Sequence, residues 1–310
     1  MKQGSFLPRL AAAAAIVAAA ATAAAQDRDW SAVAVTAQPV AANVYMVSGA
    51  GGNIGLFVGP DGAFLIDDQF APLTDKVRAA VAKVTDQPIR FVLNTHWHPD
   101  HTGGNENLGK GGALIVAHDN VRVRLAAGLV DEFFDRNIPP APGAALPVVT
   151  FDSTVTFHLG GEEIHVFHVP PAHTDGDSVV HFRKADVIHT GDLLFNGGYP
   201  VLDVPSGGTI TGWIAVADRV LAVAGPDTKL IPGHGALATR ADLQRFRDML
   251  ATVRERVLPL VRAGKSLDEI VAAKPLADLE NDWGSLFVPT DRFLRAVHAS
   301  LTRETQETPR

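Results

Sequence analysis

The sequence predicts an α/β fold in which helices cover β-sheets within one domain. Short apolar runs typical of strands alternate with longer stretches of helical periodicity. Hydrophobic residues make up 46% of the 310 residues, which is enough for a substantial core. A chain of this length fits one large domain or two small ones. Because no Pro/Ser-rich linker, change of composition or fixed-period repeat divides it, a single domain is favoured.

The first half of the chain is predicted to start with strands and then to alternate strands with helices. Gly59-Pro60-Asp61-Gly62 has the turn chemistry of a hairpin. From 73 to 84 apolar residues recur at helical spacing, until Gln87-Pro88 ends the element. The predicted strands are 43–47, 54–58, 63–66, 89–93 and 113–117, and the predicted helices are 73–84 and 120–127.

The second half is predicted to hold further strands and then mainly helices from 241 to 310. Gly160-Gly161 joins the hairpin of 154–159 and 163–169. One apolar stripe, which includes Phe246, predicts that helix 241–261 packs on a sheet rather than in a dimer interface, and Pro259 is expected to end that helix early. The other predicted elements are strands 178–182, 187–189 and 229–231 and a helix at 210–223.

Charge and composition limit the partners and the metal chemistry. The chain carries 34 acidic and 27 basic residues, a formal net charge of −7, so it has no overall positive field to bind nucleic acid. A small-molecule substrate is the expected partner, and the sequence does not specify an oligomeric state. With 12 His and no Cys, any metal site must use nitrogen and oxygen ligands.

Residues 1–25 have the pattern of a secretory signal. Lys2 and Arg9 precede an alanine-rich apolar run at 10–25, and the small residues at 23–25 predict cleavage before Gln26. This run is shorter than the roughly 20 residues that span a bilayer, and no later run is long enough. We therefore expect a periplasmic or secreted protein without membrane association after cleavage.

The stretch Thr95-His96-Trp97-His98-Pro99-Asp100-His101 follows predicted strand 89–93 and carries the strongest chemical signal. If the backbone stays extended, His96, His98 and Asp100 lie on one face and His101 points elsewhere, so one loop could supply two adjacent metal ions. In that geometry Trp97 points away from the metals, and packing is its expected role.

Three further motifs end predicted strands, and their order is informative. They are Ala172-His173-Thr174-Asp175, His189-Thr190-Gly191-Asp192 and Pro232-Gly233-His234-Gly235. With the first motif, they make the chain resemble the metallo-β-lactamase superfamily, whose pattern is His-x-His-x-Asp-His, a distant His, an Asp and a last His. The resemblance covers about 43–235. It implies a four-layer αββα sandwich at 26–310, with the metals at one edge between two sheets.

The resemblance also implies a role for each motif residue. Asp67 would orient the loop ligands, and Asp192 would bridge two metal ions, which are expected to be Zn²⁺, with Mn or Fe as alternatives. The implied ligands of the first metal are His96, His98 and His173, and those of the second are Asp100, His101 and His234.

The implied mechanism is hydrolysis by a metal-bridging hydroxide that attacks a carbonyl. Asp100 would act catalytically by orienting the hydroxide and passing a proton to the leaving group. Tyr199 and Asn196 follow Asp192 closely enough to bind substrate, although packing is an equally open role for both. The seven remaining histidines are expected to be structural.

The substrate stays open between several classes. An exported enzyme meets β-lactams, so a β-lactam amide is the lead substrate. Secreted β-lactamases of the superfamily typically carry Cys or Ser at the position of Asp192, which favours a lactonase, esterase or thioesterase as the alternative. A different class is an iron-dependent oxidoreductase such as a sulfur dioxygenase, but diiron members usually carry Glu at the position of His98. Negative charge and export disfavour a nuclease.

Overall fold

A computed structural model describes residues 29–131, 136–284 and 288–307 of the chain. The predicted signal segment 1–25 lies outside these residues. The strands of the first part are β1 (Thr36–Ala41), β2 (Val44–Ser48), β3 (Ile54–Gly59), β4 (Gly62–Ile66), β5 (Ile89–Asn94), β6 (Leu114–His118), β7 (Leu129–Asp131), β8 (Arg136–Ile138) and β9 (Val149–Phe151). They are followed by β10 (Thr154–Leu159), β11 (Glu162–His168), β12 (Ser178–Phe182), β13 (Val187–Asn196), β14 (Lys229–Gly235) and β15 (Ala238–Thr239). The helices are α1 (Thr74–Ala82), α2 (Pro99–Thr102), α3 (Asn105–Lys110), α4 (Asp119–Ala127), α5 (Ile210–Val223), α6 (Arg240–Arg262), α7 (Leu267–Ala272), α8 (Glu280–Trp283) and α9 (Thr290–Glu307).

The first sheet has the order β1-β2-β3-β4-β5-β6-β9. Strands β1 to β4 are antiparallel neighbours, and Leu56 of β3 pairs with Leu65 of β4 across the predicted hairpin. From β4 onward the strands run parallel. Because the carboxyl ends of parallel strands meet at one edge of a sheet, Asp67 after β4 and His96 after β5 emerge side by side.

The second sheet has the order β10-β11-β12-β13-β14-β15. Strands β13 and β14 are parallel, and their register shifts on both sides of Gly191, which has a φ of +52°. Strand β13 was expected to end at His189 but continues to Asn196, because the irregularity at Gly191 redirects the strand without ending it. Asp192 and His234 therefore lie on neighbouring strands.

Three apolar interfaces stack the elements into four layers. The two sheets pack face to face, α1 covers the outer face of the first sheet, and α5, α6 and α9 cover the second. Buried side chains at these interfaces include Phe57, Phe64, Val166 and Phe182 between the sheets, Val77 and Val81 of α1, and Trp213, Phe246 and Phe293 of the other helices. This arrangement confirms the predicted αββα sandwich.

Most predicted elements are present within a few residues of their expected bounds. Helix α6 shows how one of its ends is determined and why the other was predicted incorrectly. Thr239 and Asp242 form a reciprocal capping box that starts α6. The expectation that Pro259 ends this helix early is wrong, because α6 continues to Arg262. Val257 and Leu258 are buried in the core and hold the last turn in place, although Pro259 cannot donate a helical hydrogen bond.

The short elements β1, β7 to β9 and β15 and helices α2 and α3 were not predicted. Their residues are too few, or too polar, to establish a period. Within the described residues, no helix combines the length and the apolar character that crossing a membrane requires.

Candidate metal centre

The histidine-rich segment after β5 changes conformation in its middle. It is extended at His98, which has φ −61° and ψ +147°, and helix α2 begins at Pro99. The expectation that it stays extended as far as Asp100 is therefore wrong. Proline favours the first position of a helix, and Thr102 Oγ1 closes the turn by donating to His98 O at 3.1 Å. The turn directs Asp100 and His101 to one side, away from His98.

Four side chains form what we call the first cluster: His96, His98, His173 and Asp192. All four are buried, and one ligand atom from each lies within 4.8 Å of the others. His173 Nε2 is 3.0 Å from His98 Nδ1, and Asp192 Oδ2 is 3.5 Å from His173 Nε2. These are the three histidines and the carboxylate that the resemblance implied for the first metal.

Asp100, His101 and His234 form the second cluster, in which the ligand atoms again lie within 4.8 Å of one another. His234 Nε2 is 3.4 Å from Asp100 Oδ2. Asp192 Oδ1 lies 3.0 Å from His101 Nε2 and 3.4 Å from His234 Nε2. The two oxygens of Asp192 therefore face different clusters, as a bridging ligand requires.

Buried polar atoms in the two clusters lack ordinary partners. His96 Nε2 is buried and forms no hydrogen bond, and the buried atoms His101 Nε2 and Asp192 Oδ1 have only their mutual contact at 3.0 Å and longer contacts within the clusters. A buried polar group without a partner is costly, and imidazole nitrogens with carboxylate oxygens are the donors that zinc prefers. The residues therefore fit a pair of metal ions.

The charges of the centre are set by its carboxylates. Burial lowers the pKa of His96 well below its ordinary value, and His101 adds to that effect. Burial also opposes the charged form of His101, but Asp192, Asp100 and Asp67 outweigh it and raise the pKa of His101 well above its ordinary value. Asp192 itself is kept ionised by His234, His101 and His96, which hold its pKa low against its burial. Without a metal the carboxylates therefore favour a proton on His101, which a bound metal ion would displace.

Asp67, which the sequence singled out, connects two ligands of different clusters. Its Oδ2 accepts from His101 Nδ1 at 2.7 Å and from Thr95 Oγ1 at 2.8 Å, and its Oδ1 accepts from Thr95 N at 2.7 Å. Thr95 Oγ1 in turn lies 3.0 Å from His96 Nδ1. These bonds use Nδ1 of both histidines, so Nε2 of each is left for a metal.

Two supporting contacts of the first cluster were missed by the sequence reasoning. Asp203 Oδ2 lies 2.9 Å from His98 Nε2, and Val201 O accepts from His173 Nδ1 at 2.6 Å. Both belong to the loop between β13 and α5, where an isolated Asp without a motif around it gave no signal. Ser206 N donates to the carboxylate of Asp203 at 3.0 Å, and with His98 it lowers the pKa of Asp203 to about 2 against the effect of burial.

A short loop at 49–53 covers the second cluster. Gln69 Oε1 accepts from Gly51 N at 2.7 Å, while Asn53 Nδ2 donates to Pro232 O and Gly235 O at 3.0 and 2.9 Å. Gly52 packs directly on the ring of His101: a Cβ there would lie 2.1 Å from Cε1. Gly52 N also donates to Asp100 O at 3.2 Å, so the loop is anchored to both chain segments that carry the second cluster.

The structure places the two suggested substrate-binding residues differently. Tyr199 is fully buried and stacks on Phe293 with ring centroids 4.8 Å apart, so the packing role applies to it. Asn196 is half-buried, and its Nδ2 donates to Ala236 O at 3.0 Å, which supports the turn after His234.

Trp97 and His189, which were expected to pack or to be structural, are both buried. Trp97 is buried against Ala117, Val121 and Leu125. His189 is buried, with Nε2 3.1 Å from Asn53 O.

Comparison with known proteins gives a consistent family assignment. The sequence model of the metallo-beta-lactamase superfamily matches residues 47–235. A hydroxyacylglutathione hydrolase of Polaromonas sp. is 28% identical over 196 residues, which are 61% of this chain and 65% of that protein. A type 2 metallo-beta-lactamase of Bacillus cereus is 24% identical over 190 residues, 61% of this chain and 69% of the relative.

Two further matches extend the range of relatives. The alpha subunit of a 2,4-dinitroanisole O-demethylase from Nocardioides sp. is 22% identical over 267 residues, 84% of this chain and 76% of the relative. Among solved structures, a metallo-beta-lactamase from Pontibacter korlensis superposes with a TM-score of 0.58 at 20% identity, and the match covers 70% of this chain and 99% of the other. At that identity the structural match supports the fold alone.

Proposed function

The chain belongs to the metallo-beta-lactamase superfamily and is a metal-dependent hydrolase, and from that premise we propose a dinuclear zinc enzyme that cleaves an activated carbonyl bond. The observation that carries this proposal is the placement of Asp192, whose two carboxylate oxygens face the two clusters. A β-lactam amide is the lead substrate.

Bound metal ions would supply an activated water and a Lewis acid for the carbonyl oxygen. The residues that would hold them are those of the first and second clusters. Asp100 has the most exposed side chain of the two clusters at 20%, followed by His234 at 13% and His98 at 10%, whereas those of His96, His173 and Asp192 are at most 3% exposed. Substrate would therefore approach from the side of Asp100. A proton released by the attacking water would pass to the Asp100 carboxylate and from there to the leaving group.

A thioester, ester or lactone is the second candidate substrate. It is favoured by the carboxylate at Asp192 and by the similarity to a hydroxyacylglutathione hydrolase. The two candidates share the metal chemistry, since both need an attack on a carbonyl carbon, so substrate profiling must decide between them.

The test is turnover of a chromogenic cephalosporin by zinc-loaded protein that starts at Gln26, with and without a chelator. We expect about two zinc ions per chain and turnover that the chelator abolishes. If this protein leaves the cephalosporin intact but hydrolyses a lactone or a thioester, the second candidate replaces the first. Stoichiometric iron together with oxygen consumption would contradict hydrolysis and support the oxidoreductase alternative.

We also propose that the enzyme is exported, on the basis of the sequence pattern at 1–25. N-terminal sequencing of the protein made by a bacterial host tests this. A mature chain that begins at Gln26 in the periplasmic or extracellular fraction is expected, and an uncleaved chain in the cytoplasm would contradict the proposal.

A further inference from the structure

One segment, residues 201–208, contacts two ligands of the first cluster. As described above, Val201 O accepts from His173 Nδ1, and Asp203 Oδ2 accepts from His98 Nε2. These contacts fix which ring nitrogen of each histidine carries the proton. They leave His173 Nε2 and His98 Nδ1, the two atoms that lie 3.0 Å apart, for a metal.

The same segment packs tightly on the backbone that carries His173. Asp203 N donates to His173 O at 3.2 Å, and Asp175 N donates to Ser206 O at 2.9 Å. A Cβ at Gly208 would lie 2.4 Å from His173 O. A displacement of this segment would therefore move His173 as well as the carboxylate that orients His98.

Arg303 of α9 holds the segment from its outer side. Its guanidinium donates to three carbonyl oxygens: Val204 O at 2.9 Å, Gly207 O at 3.1 Å and Gly208 O at 2.9 Å. A planar guanidinium can bond several acceptors at fixed angles, which a lysine ammonium does less well. Arg303 lies far beyond residues 47–235, which the family model matches.

We propose that Arg303 is a positioning residue for the first metal, which it influences through the 201–208 segment. The inference rests on the metal binding of the proposed function and goes beyond it, because it gives the C-terminal helix a role in the metal centre. By this mechanism, loss of Arg303 loosens the segment and weakens metal binding by His98 and His173.

Helix α9 also docks through an apolar face that does not include Arg303. Its apolar face is buried in the core by Phe293, Leu294, Val297 and Leu301. Removing the Arg303 guanidinium should therefore leave α9 in place but release the 201–208 segment. The two effects can be measured separately, which makes the proposal testable.

The experiment compares metal affinity in a His234→Ala background, where the first cluster is the complete one. Competition with a chelating indicator gives the Kd for Zn²⁺, and absorption bands of bound Co²⁺ report the ligand geometry. Arg303→Ala is expected to raise the Kd about tenfold and to alter the Co²⁺ bands, within the range of about 10–100-fold known for residues that support metal ligands. Arg303→Lys should recover part of the affinity.

Two reference variants show how large and how small a change in the Kd for Zn²⁺ can be expected. Asp203→Asn removes the direct contact with His98 and should raise the Kd at least as much as Arg303→Ala. Arg295→Ala removes an exposed arginine from the same helix and should leave the Kd unchanged.

An Arg303→Ala protein that melts cooperatively and binds zinc as tightly as the Arg295→Ala protein would overturn the inference. If Arg303→Ala does not fold, Arg303→Gln takes its place in the same comparison. If the chain with Arg303 intact binds no metal at all, the proposed function itself fails, and that result is distinct from equal binding by the variants.

Discussion

The two clusters differ in burial and in what supports them. In the first cluster every ligand is buried, and the 201–208 segment orients two of its histidines. In the second cluster Asp100 and His234 are partly exposed, and the support comes from Asp67 and the 49–53 loop. Closed metal sites serve structure, whereas catalytic sites keep an open position. One centre can therefore combine a closed site, the first cluster, which would hold its metal firmly, with an open site, the second cluster, which would face the substrate.

The largest effect is expected where the clusters meet. Asp192→Ala removes a ligand from both, so we expect the loss of most bound metal and a fall in kcat/KM of at least about 100-fold, more than for a residue that only supports a ligand. Metal analysis and steady-state kinetics measure it. Asp248→Ala, on the exposed face of α6, is the control, with no change expected. Wild-type metal content and activity in Asp192→Ala would show that Asp192 bridges nothing.

A substitution at Gly52 should affect the second cluster and spare the first. The Cβ of Gly52→Ala would overlap the His101 ring, and such overpacking costs about 1–3 kcal/mol of unfolding free energy. We expect lower stability in urea and a loss of close to one metal ion per chain.

Gly143→Ala is the matched control for Gly52→Ala. A Cβ at Gly143 meets nothing within 4 Å, and its φ is not in the left-handed region. Equal stability and equal metal content in the two variants would contradict the close packing of the 49–53 loop on His101.

A chelator should remove metal from the two clusters at different rates. Because the second cluster is more exposed, its metal is expected to leave first, which gives two kinetic phases with a chromophoric chelator. The rapid phase should be missing from His234→Ala. A single phase of two equivalents in the wild-type protein would show that the difference in burial does not control metal release.

The smallest effect concerns a histidine pair outside both clusters. The rings of His118 and His168 stack with centroids 3.6 Å apart, and burial together with His118 lowers the pKa of His168. The unfolded chain therefore takes up a proton more readily at this position. The resulting stability is complete above the unfolded pKa of about 6.5 and declines as the pH falls below it.

We expect His168→Gln to make the free energy of unfolding less dependent on pH below about 6.5, as measured by urea titration of the metal-free protein. His298→Gln, on α9, serves as the matched replacement. An unchanged slope in His168→Gln would assign the acid sensitivity to other groups, including the histidines of the two clusters.

The sequence predicted which residues come together in the two clusters, because a motif and its spacing encode them locally. His96, His98, Asp100 and His101 lie within six residues that follow β5, and His173, Asp192 and His234 come after them in the order of the motif. The supports could not be predicted in the same way. Asp203 contacts His98 across 105 residues, and Arg303 contacts Gly208 across 95 residues. No local sequence pattern predicts such a pairing. The turn at Pro99 was missed for the opposite reason, since strand alternation was extended past a proline that begins a helix.

The same long-range geometry has a consequence for how the sandwich is held together. His96, His98, Asp100 and His101 follow a strand of the first sheet, whereas Asp192 and His234 lie on strands of the second. A bound metal would therefore be a removable cross-link between the sheets, in a chain without cysteines to form a disulfide. Each tenfold excess of free metal over its Kd adds about 1.4 kcal/mol to the free energy of unfolding. Metal supply would then regulate the lifetime of the folded protein as well as its activity.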